Sequence, residues 1–395
     1  MTRNIIADRS LKTARSGIRV MVDRSVGLRD LVHLEIGEPN FPTPDHIVQA
    51  GKKALDEEWT HYTANRGHID LRKSLARKLE EENGIEADPE REIMVTAGAM
   101  QAISLAILVT VNPGEEVIVP NPGYESFSRQ VTFAGGKPVS ARLREESDGF
   151  KIKPDELEEK ITSRTKAIVL NTPGNPTGNV ITKQELEEIA DIARRRELLI
   201  FADEIYEKIV FGDAKHCSIA SFPGMKERTV SIMGLSKTYA MTGWRLGYAA
   251  APKQIVDEMN KIQEFYVTCA TSISQRAAIA ALDGPQDAVR AMVKEYEGRR
   301  DFLCEELRKI EGISCIRPDG AFYVFPDISR FGLKCEELAN LLLDKGKVVT
   351  TPGTAFGSYG EGHLRLSLAT SMEDLKVGVE RMKEVLSEVH STRRA

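Results

Sequence analysis

The chain has 395 residues, with 41% hydrophobic and 29% charged side chains, 30 glycines and 17 prolines. That balance excludes wholesale disorder, a collagen-like repeat and a disulfide miniprotein. Lys plus Arg total 54 against 59 Asp plus Glu, a formal net charge of −5, so no general polycation is available to wrap a nucleic acid. The opening MTRNIIADRS sets Asp8 and Arg9 where a signal peptide needs an apolar run, and the longest apolar stretch, Ala99 to Val111, is too short to span a bilayer. Cys217, Cys269, Cys304, Cys315 and Cys335 contain no Cys-x-x-Cys pair and suit a reducing compartment. The expectation is a cytoplasmic protein with no membrane or nucleic-acid partner.

From about residue 90, short apolar runs alternate with helical patterns. Ile93–Thr96, Val117–Pro120, Ala167–Leu170, Leu199–Ala202, Val230–Met233 and Gly247–Ala250 read as strands, most of them apolar throughout, as strands buried on both faces must be. Between them, Thr182 and Glu185 form a capping box ahead of Leu186, Ile189, Ala190 and Ala193 at helical spacing. This alternation predicts an α/β fold with an open, mostly parallel central sheet flanked by helices, its ligand site beyond the carboxyl ends of the strands. Pro252–Val267, Ser272–Leu282 and Pro285–Ile310 then read as helices. They are followed by a strand at Ala321–Pro326, a helix at Glu336–Lys345, a strand at Leu364–Leu368 and a helix at Glu373–Glu388. The expected division is a large domain over 46–290 and a smaller α/β domain made from 1–45 and 291–395.

The chemistry sits where strands end. Thr96-Ala97-Gly98-Ala99-Met100 is a strand-to-helix turn whose free amides can receive a phosphate, although such turns are common without one. Asn171 to Gly178 is rich in turn formers, and turn chemistry accounts for all of it except Asn175. Asp203, in Asp203-Glu204-Ile205-Tyr206, either caps the next helix or holds a heterocyclic nitrogen protonated. Lys237, in Gly234-Leu235-Ser236-Lys237-Thr238, is a solvated lysine when taken alone, and a Schiff-base former when held among other cations. Arg245 can clamp a phosphate bidentately. Arg365 alternates with leucines, and most such arginines face water. No Gly-x-x-x-x-Gly-Lys-Ser/Thr or Gly-x-Gly-x-x-Gly occurs, which removes the main support for NTPase and nicotinamide readings. His33, His46, His61, His68, His216, His363 and His390 lack metal-ligand spacing and take structural, capping or surface roles, so no metal is expected.

Together and in order, Asn-x-Pro-x-Asn-Pro-Thr-Gly, Asp-Glu-x-Tyr, Ser-Lys and Gly-Trp-Arg-x-Gly resemble the fold-type I, class I/II pyridoxal-phosphate aminotransferases, aspartate-aminotransferase-like members in particular. The likeness runs from Gly37 to Arg365. It implies pyridoxal 5'-phosphate on Lys237 as a Schiff base, with Asp203 on the ring nitrogen and Asn175 and Tyr206 on the phenolic oxygen. It implies Tyr124 stacked on the ring, and Arg245, Ser236 and the Ala99 and Met100 amides around the phosphate. Arg365, with Gly37 and Asn175, would hold the substrate α-carboxylate. Tyr62 would reach the neighbouring subunit's cofactor, which implies a homodimer with shared active sites. The implied activity moves an amino group from an L-amino acid to a 2-oxo acid such as 2-oxoglutarate.

Aspartate-type donors are favoured; alanine, aromatic and branched donors also suit Met100, which stands where some acidic-substrate relatives carry a lysine. Arg19 offers a substitute charge, or is simply a solvated helix residue. The alternatives are a β-lyase or an aminocyclopropane-carboxylate-type synthase on the same cofactor residues. More remote is a non-catalytic ligand-sensing regulator, which would need more than the roughly 35 residues that precede Gly37.

Overall fold

A computed structural model describes residues 5–11 and 13–394; the side chains of Asp8, Arg9 and residues 390–394, His390 among them, lie outside that description. Its centre is an eight-stranded sheet in the order Ile93–Thr96, Gly247–Ala250, Thr229–Gly234, Leu199–Asp203, Thr165–Asn171, Glu116–Asn121, Lys137–Glu146, Gly149–Ile152. The four strands from Thr229–Gly234 to Glu116–Asn121 and the adjoining Lys137–Glu146 run parallel. Gly247–Ala250 is antiparallel to both its neighbours, and Gly149–Ile152 is an antiparallel edge.

Each predicted strand forms, and its apolar run has a physical cause. Successive residues feed opposite cores: Val117, Val119, Val169 and Phe201 pack on one face, while Ile118, Ile168, Leu170 and Ile200 pack on the other. Lys137–Glu146 and Gly149–Ile152 were not among the expected strands. They close the sheet's edge, and only alternate residues such as Ala141 and Leu143 are buried, so neither shows a continuous apolar signal. The capping box at Thr182 and Glu185 is present and opens the helix Lys183–Arg195.

The two ends of the chain meet in a second core. Val32–His33 pairs in parallel with Val348–Val349, and Leu364–Ser367 lies between Tyr323–Val324 and Thr351–Pro352 in an antiparallel sheet. The expected strand Ala321–Pro326 is thus shortened to Tyr323–Val324. Helices Asp287–Arg308, Cys335–Asp344 and Met372–Arg394 cover these strands. Among the described residues no helix is long and apolar enough to cross a membrane.

Glu116 ties three strands together at their entry. Its buried carboxylate accepts hydrogen bonds from Thr162 Oγ1 (2.7 Å), Arg164 Nη2 (2.9 Å) and Lys137 Nζ (3.1 Å). These bonds, the Thr162 hydroxyl first, hold its pKa down to about 2. A carboxyl depressed on folding contributes stability above its unfolded value that is lost as pH falls through its folded value. Glu116→Gln is therefore expected to lower the thermal midpoint at neutral pH, with the deficit shrinking as pH drops from about 4.5 toward 2. Melting curves across that range check this; a constant deficit would contradict it.

Candidate active site

The sheet delivers its polar residues to one edge. Asn171 and Asp203 end neighbouring parallel strands and stand opposite each other in register. The turn beyond Asn171 is folded back by its own side chain, whose Oδ1 accepts from the Asn175 amide (2.8 Å). Thr229–Gly234 runs straight into the single helical turn Leu235–Thr238 that carries Ser236 and Lys237. Arg365 arrives from the smaller sheet. These groups line one cavity of about 320 Å³ at the carboxyl ends of the parallel strands, where the topology predicts a ligand. Every cofactor- and carboxylate-binding residue nominated from the sequence lines it except Tyr62, which is 84% exposed on this chain. Arg19 is exposed and absent from the lining; its neighbour Ile18 is there instead.

Lys237 and Asp203 face each other electrostatically across this cavity. Burial pushes the Asp203 carboxyl up to about 7, Glu204 adds to the shift, and the Ile205 amide (3.2 Å) and Lys237 only partly oppose it. Burial likewise lowers the Lys237 ammonium to about 8, reinforced by Arg365 and Arg245 and opposed by Glu38 and Asp203. Lys237 Nζ donates to the Gly37 carbonyl and lies 5.8 Å from the Phe322 ring centroid. The site thus holds an amine whose neutral fraction near neutral pH is far above an ordinary lysine's, and a carboxylate short of cationic partners.

An anion cradle lies beside them. The helix Ala99–Thr110 starts at Gly98 with no side-chain cap, so its first amides are open to a ligand. Gly98 has φ +85°, and a Cβ there would stand 2.7 Å from Arg245 Nη2. At Gly247 a Cβ would stand 2.4 Å from the Ala99 nitrogen. Gly98 is required by its positive φ, and Gly247 by the backbone of the helix start that approaches it. Arg245 itself is exposed at the cavity's mouth and is held by the Thr242 carbonyl (3.0 Å).

Arg365 does not face water, as an arginine on a surface strand would; it is 1% exposed. Nη1 donates to Asn175 Oδ1 (3.1 Å) and Nη2 to the Glu35 carbonyl, while the rings of Tyr323 and Phe356 lie 4.3 and 4.9 Å from the guanidinium carbon. Its Nε is buried with no hydrogen-bond partner among the described residues. A desolvated, rigid guanidinium with donor capacity left over is fitted to a carboxylate.

Sequence reasoning missed Tyr323, whose hydroxyl is 2.9 Å from that of Tyr206 and whose ring supports Arg365. Burial, then the neighbouring Tyr323, drives the Tyr206 phenol well above its ordinary pKa. The available signal was a tyrosine inside the apolar run Ala321–Phe325, since a buried hydroxyl needs a partner. Ile18, Ile103 and Phe127, also unforeseen, give the cavity an apolar wall beside Met100. Amine, lone carboxylate and anion cradle fit the aldehyde, ring nitrogen and phosphate of the implied cofactor.

Comparison with known proteins agrees. The family model for aminotransferase class I and II matches residues 29–382. Aspartate aminotransferase of Pyrococcus abyssi is 45% identical over 375 residues, spanning 94% of this chain and 96% of the relative. Aromatic-amino-acid aminotransferase 2 of Thermococcus litoralis is 44% identical over 97% of this chain and 98% of its own length. The crystal structure of Pyrococcus protein-A1 matches with a TM-score of 0.95 at 44% identity, covering 96% of this chain and 98% of that one. The chain belongs to the class I and II aminotransferases, pyridoxal-phosphate-dependent transaminases of fold type I.

Proposed function

We propose that the cavity transfers an amino group from an L-amino acid to a 2-oxo acid such as 2-oxoglutarate, with the residues in the following roles. The observation that carries this is the convergence of Lys237, Asp203, Arg245 and Arg365 on one cavity. Pyridoxal phosphate, when bound, supplies the sink for electrons released at the substrate Cα. Lys237 anchors the aldehyde carbon, Asp203 keeps a proton on the ring nitrogen, and Asn175 and Tyr206 donate to the phenolic oxygen. Tyr124 covers one ring face. Arg245, Ser236 and the amides of Ala99 and Met100 receive the phosphate. Arg365, with Asn175 and Gly37 beside it, would grip the α-carboxylate and so fix how the Cα–H bond is presented, an orientation effect. When not engaged as the anchor, the Lys237 amine would be the base placed to take up and return the Cα proton.

Aspartate is the first donor to test, as the P. abyssi relative is named for it. The apolar wall of Ile18, Met100, Ile103 and Phe127 favours a second reading, an aromatic or branched donor, in keeping with the name of the T. litoralis relative.

We also propose the domain division at about residues 45 and 290, and a homodimer. The division is supported by the helix Asp287–Arg308, where Val289 packs in the large domain's core and Met292 onward in the core built from both chain ends. Dimerisation is supported by Tyr62, Phe265 and Tyr266, all exposed, on segments tied by the Gln263 amide to the Asn65 carbonyl.

Lys237→Ala is expected to abolish the visible band of the purified protein and cut turnover at least ~1,000-fold, because the covalent anchor and the base are lost together. Run with a donor panel, the same assay should yield a 2-oxo acid and the aminated acceptor; ammonia plus pyruvate would mean a lyase. In the cofactor-free chain, Lys237 should react with aldehydes increasingly as pH rises through about 8, well below an ordinary lysine. Peptide mapping after borohydride trapping reads that midpoint. Mixing Tyr62→Phe and Lys237→Ala chains should, after subunit exchange, regain one tight cofactor site per hybrid; no dependence on exchange would refute shared sites.

A further inference from the structure

Behind Asp203, on the far side of the turn that follows it, lies a buried set of charges that none of the roles above uses. Glu204 is 1% exposed, and its Oε2 accepts from His216 Nε2 (2.9 Å) and from the Ser218 hydroxyl. Glu207, on the same turn, accepts from Lys78 Nζ and from Asn83 Nδ2 (2.7 Å). Asn83 Nδ2 also reaches Ser218 Oγ (2.9 Å), which joins the two carboxylates into one network. Lys78 is flanked by Glu82 (3.7 Å), and Glu82 in turn pairs with Lys208. Tyr239 and Tyr248, the remaining titratable groups near Glu207, have phenols raised by burial and stay neutral.

The ligand atoms of Glu204, Glu207 and His216 lie within 4.8 Å of one another, a spacing suited to a divalent cation. The Lys78 ammonium, however, already provides the cation for Glu207. The charge count points elsewhere. With Glu82, Glu204 and Glu207 as three negative charges and Lys78 and Lys208 as two positive ones, a protonated His216, bonded to Glu204, balances the set. Glu204 directly follows Asp203, and its amide is fixed to the Ile232 carbonyl (2.9 Å), so its charge lies close behind the cofactor site.

We propose that His216, held as an imidazolium between Glu204 and Glu207, is an electrostatic counterweight that cancels the Glu204 charge and leaves the cofactor's ring nitrogen facing the single charge of Asp203. Burial opposes the imidazolium, but the hydrogen bond to Glu204 and the charges of Glu204 and Glu207 outweigh it and raise the His216 pKa above its ordinary value. Among the described residues its Nδ1 has no hydrogen-bond partner, which leaves Glu204 on Nε2 as the charged group the ring bonds directly. His216 is then a positioning residue: it touches neither substrate nor cofactor and acts through Asp203. The inference rests on Asp203 serving the ring nitrogen.

The test compares the cofactor-loaded parent with His216→Gln and with the double variant His216→Gln/Glu204→Gln, reading the pH midpoint of the visible band. An uncompensated negative charge favours protonated forms, so His216→Gln should raise the midpoint by several tenths of a pH unit. The double variant, which removes the exposed charge, should return it to the parent value. A midpoint unmoved by His216→Gln, or one that stays shifted in the double variant, would overturn the proposal. If a variant fails to fold, nitrogen NMR of the parent chain with labelled histidine decides: His216 titrating above the ordinary histidine range supports the proposal, and a neutral ring at pH 7 overturns it. Asp203→Asn separates the two readings, because a visible band it leaves unchanged would refute the ring-nitrogen role whatever His216 does.

Discussion

The structure turns on placing a carboxylate and an amine where water cannot stabilise either charge. Asp203 is pushed up to about 7 and Lys237 down to about 8, so in the bare chain each is close to losing its charge. Neither shift is a defect to be repaired by pairing the two. A direct ion pair would restore the usual pKa values and leave an inert, fully charged lysine. Holding Lys237 on the Gly37 carbonyl instead keeps its amine reactive. It also leaves Asp203 short of a cation, as the ring-nitrogen role proposed for it requires.

Sustaining that arrangement requires a rigid frame, and the sheet provides it from both faces. Strands with both faces buried cannot slide without exposing apolar surface, so Asn171 and Asp203 keep their register and the turns that leave them start from fixed points. The antiparallel Gly247–Ala250 inserts between Ile93–Thr96 and Thr229–Gly234, bringing the Gly98 turn and the Lys237 turn to either side of one strand. Without that strand the anion cradle and the amine would belong to separate parts of the sheet edge. Its first residue is the glycine that lets the helix start at Ala99 approach.

What could be read before the structure follows from this physics. Strands buried on two faces write themselves as apolar runs, and turns carrying chemistry repeat residue types in a fixed order. Lys137–Glu146 was illegible because, next to the sheet's edge, it mixes charge with alternate burial. Arg365 was legible only as an arginine among leucines; its burial arises because Tyr323, Phe356 and the Glu35 carbonyl come from three other segments of the chain. Tyr62 lies outside the cavity and is exposed on this chain, so the role expected of it rests on the proposed dimer. His216 and Glu204, twelve positions apart, meet only once the turn after Asp203 has folded.

Net charge is the coarsest of these readings. An overall −5 suggests nothing about anions, yet the cavity concentrates Lys237, Arg245 and Arg365 against Glu38 and Asp203. Burying a guanidinium among aromatic rings is costly unless its donors are satisfied. Arg365 meets that cost with an amide oxygen and a carbonyl, both neutral, and not with a carboxylate of the chain itself. A chain carboxylate in that place would stabilise the fold better and would compete with every substrate. The neutral partners hold the guanidinium in position while leaving its charge uncompensated, which suits the α-carboxylate role proposed for it.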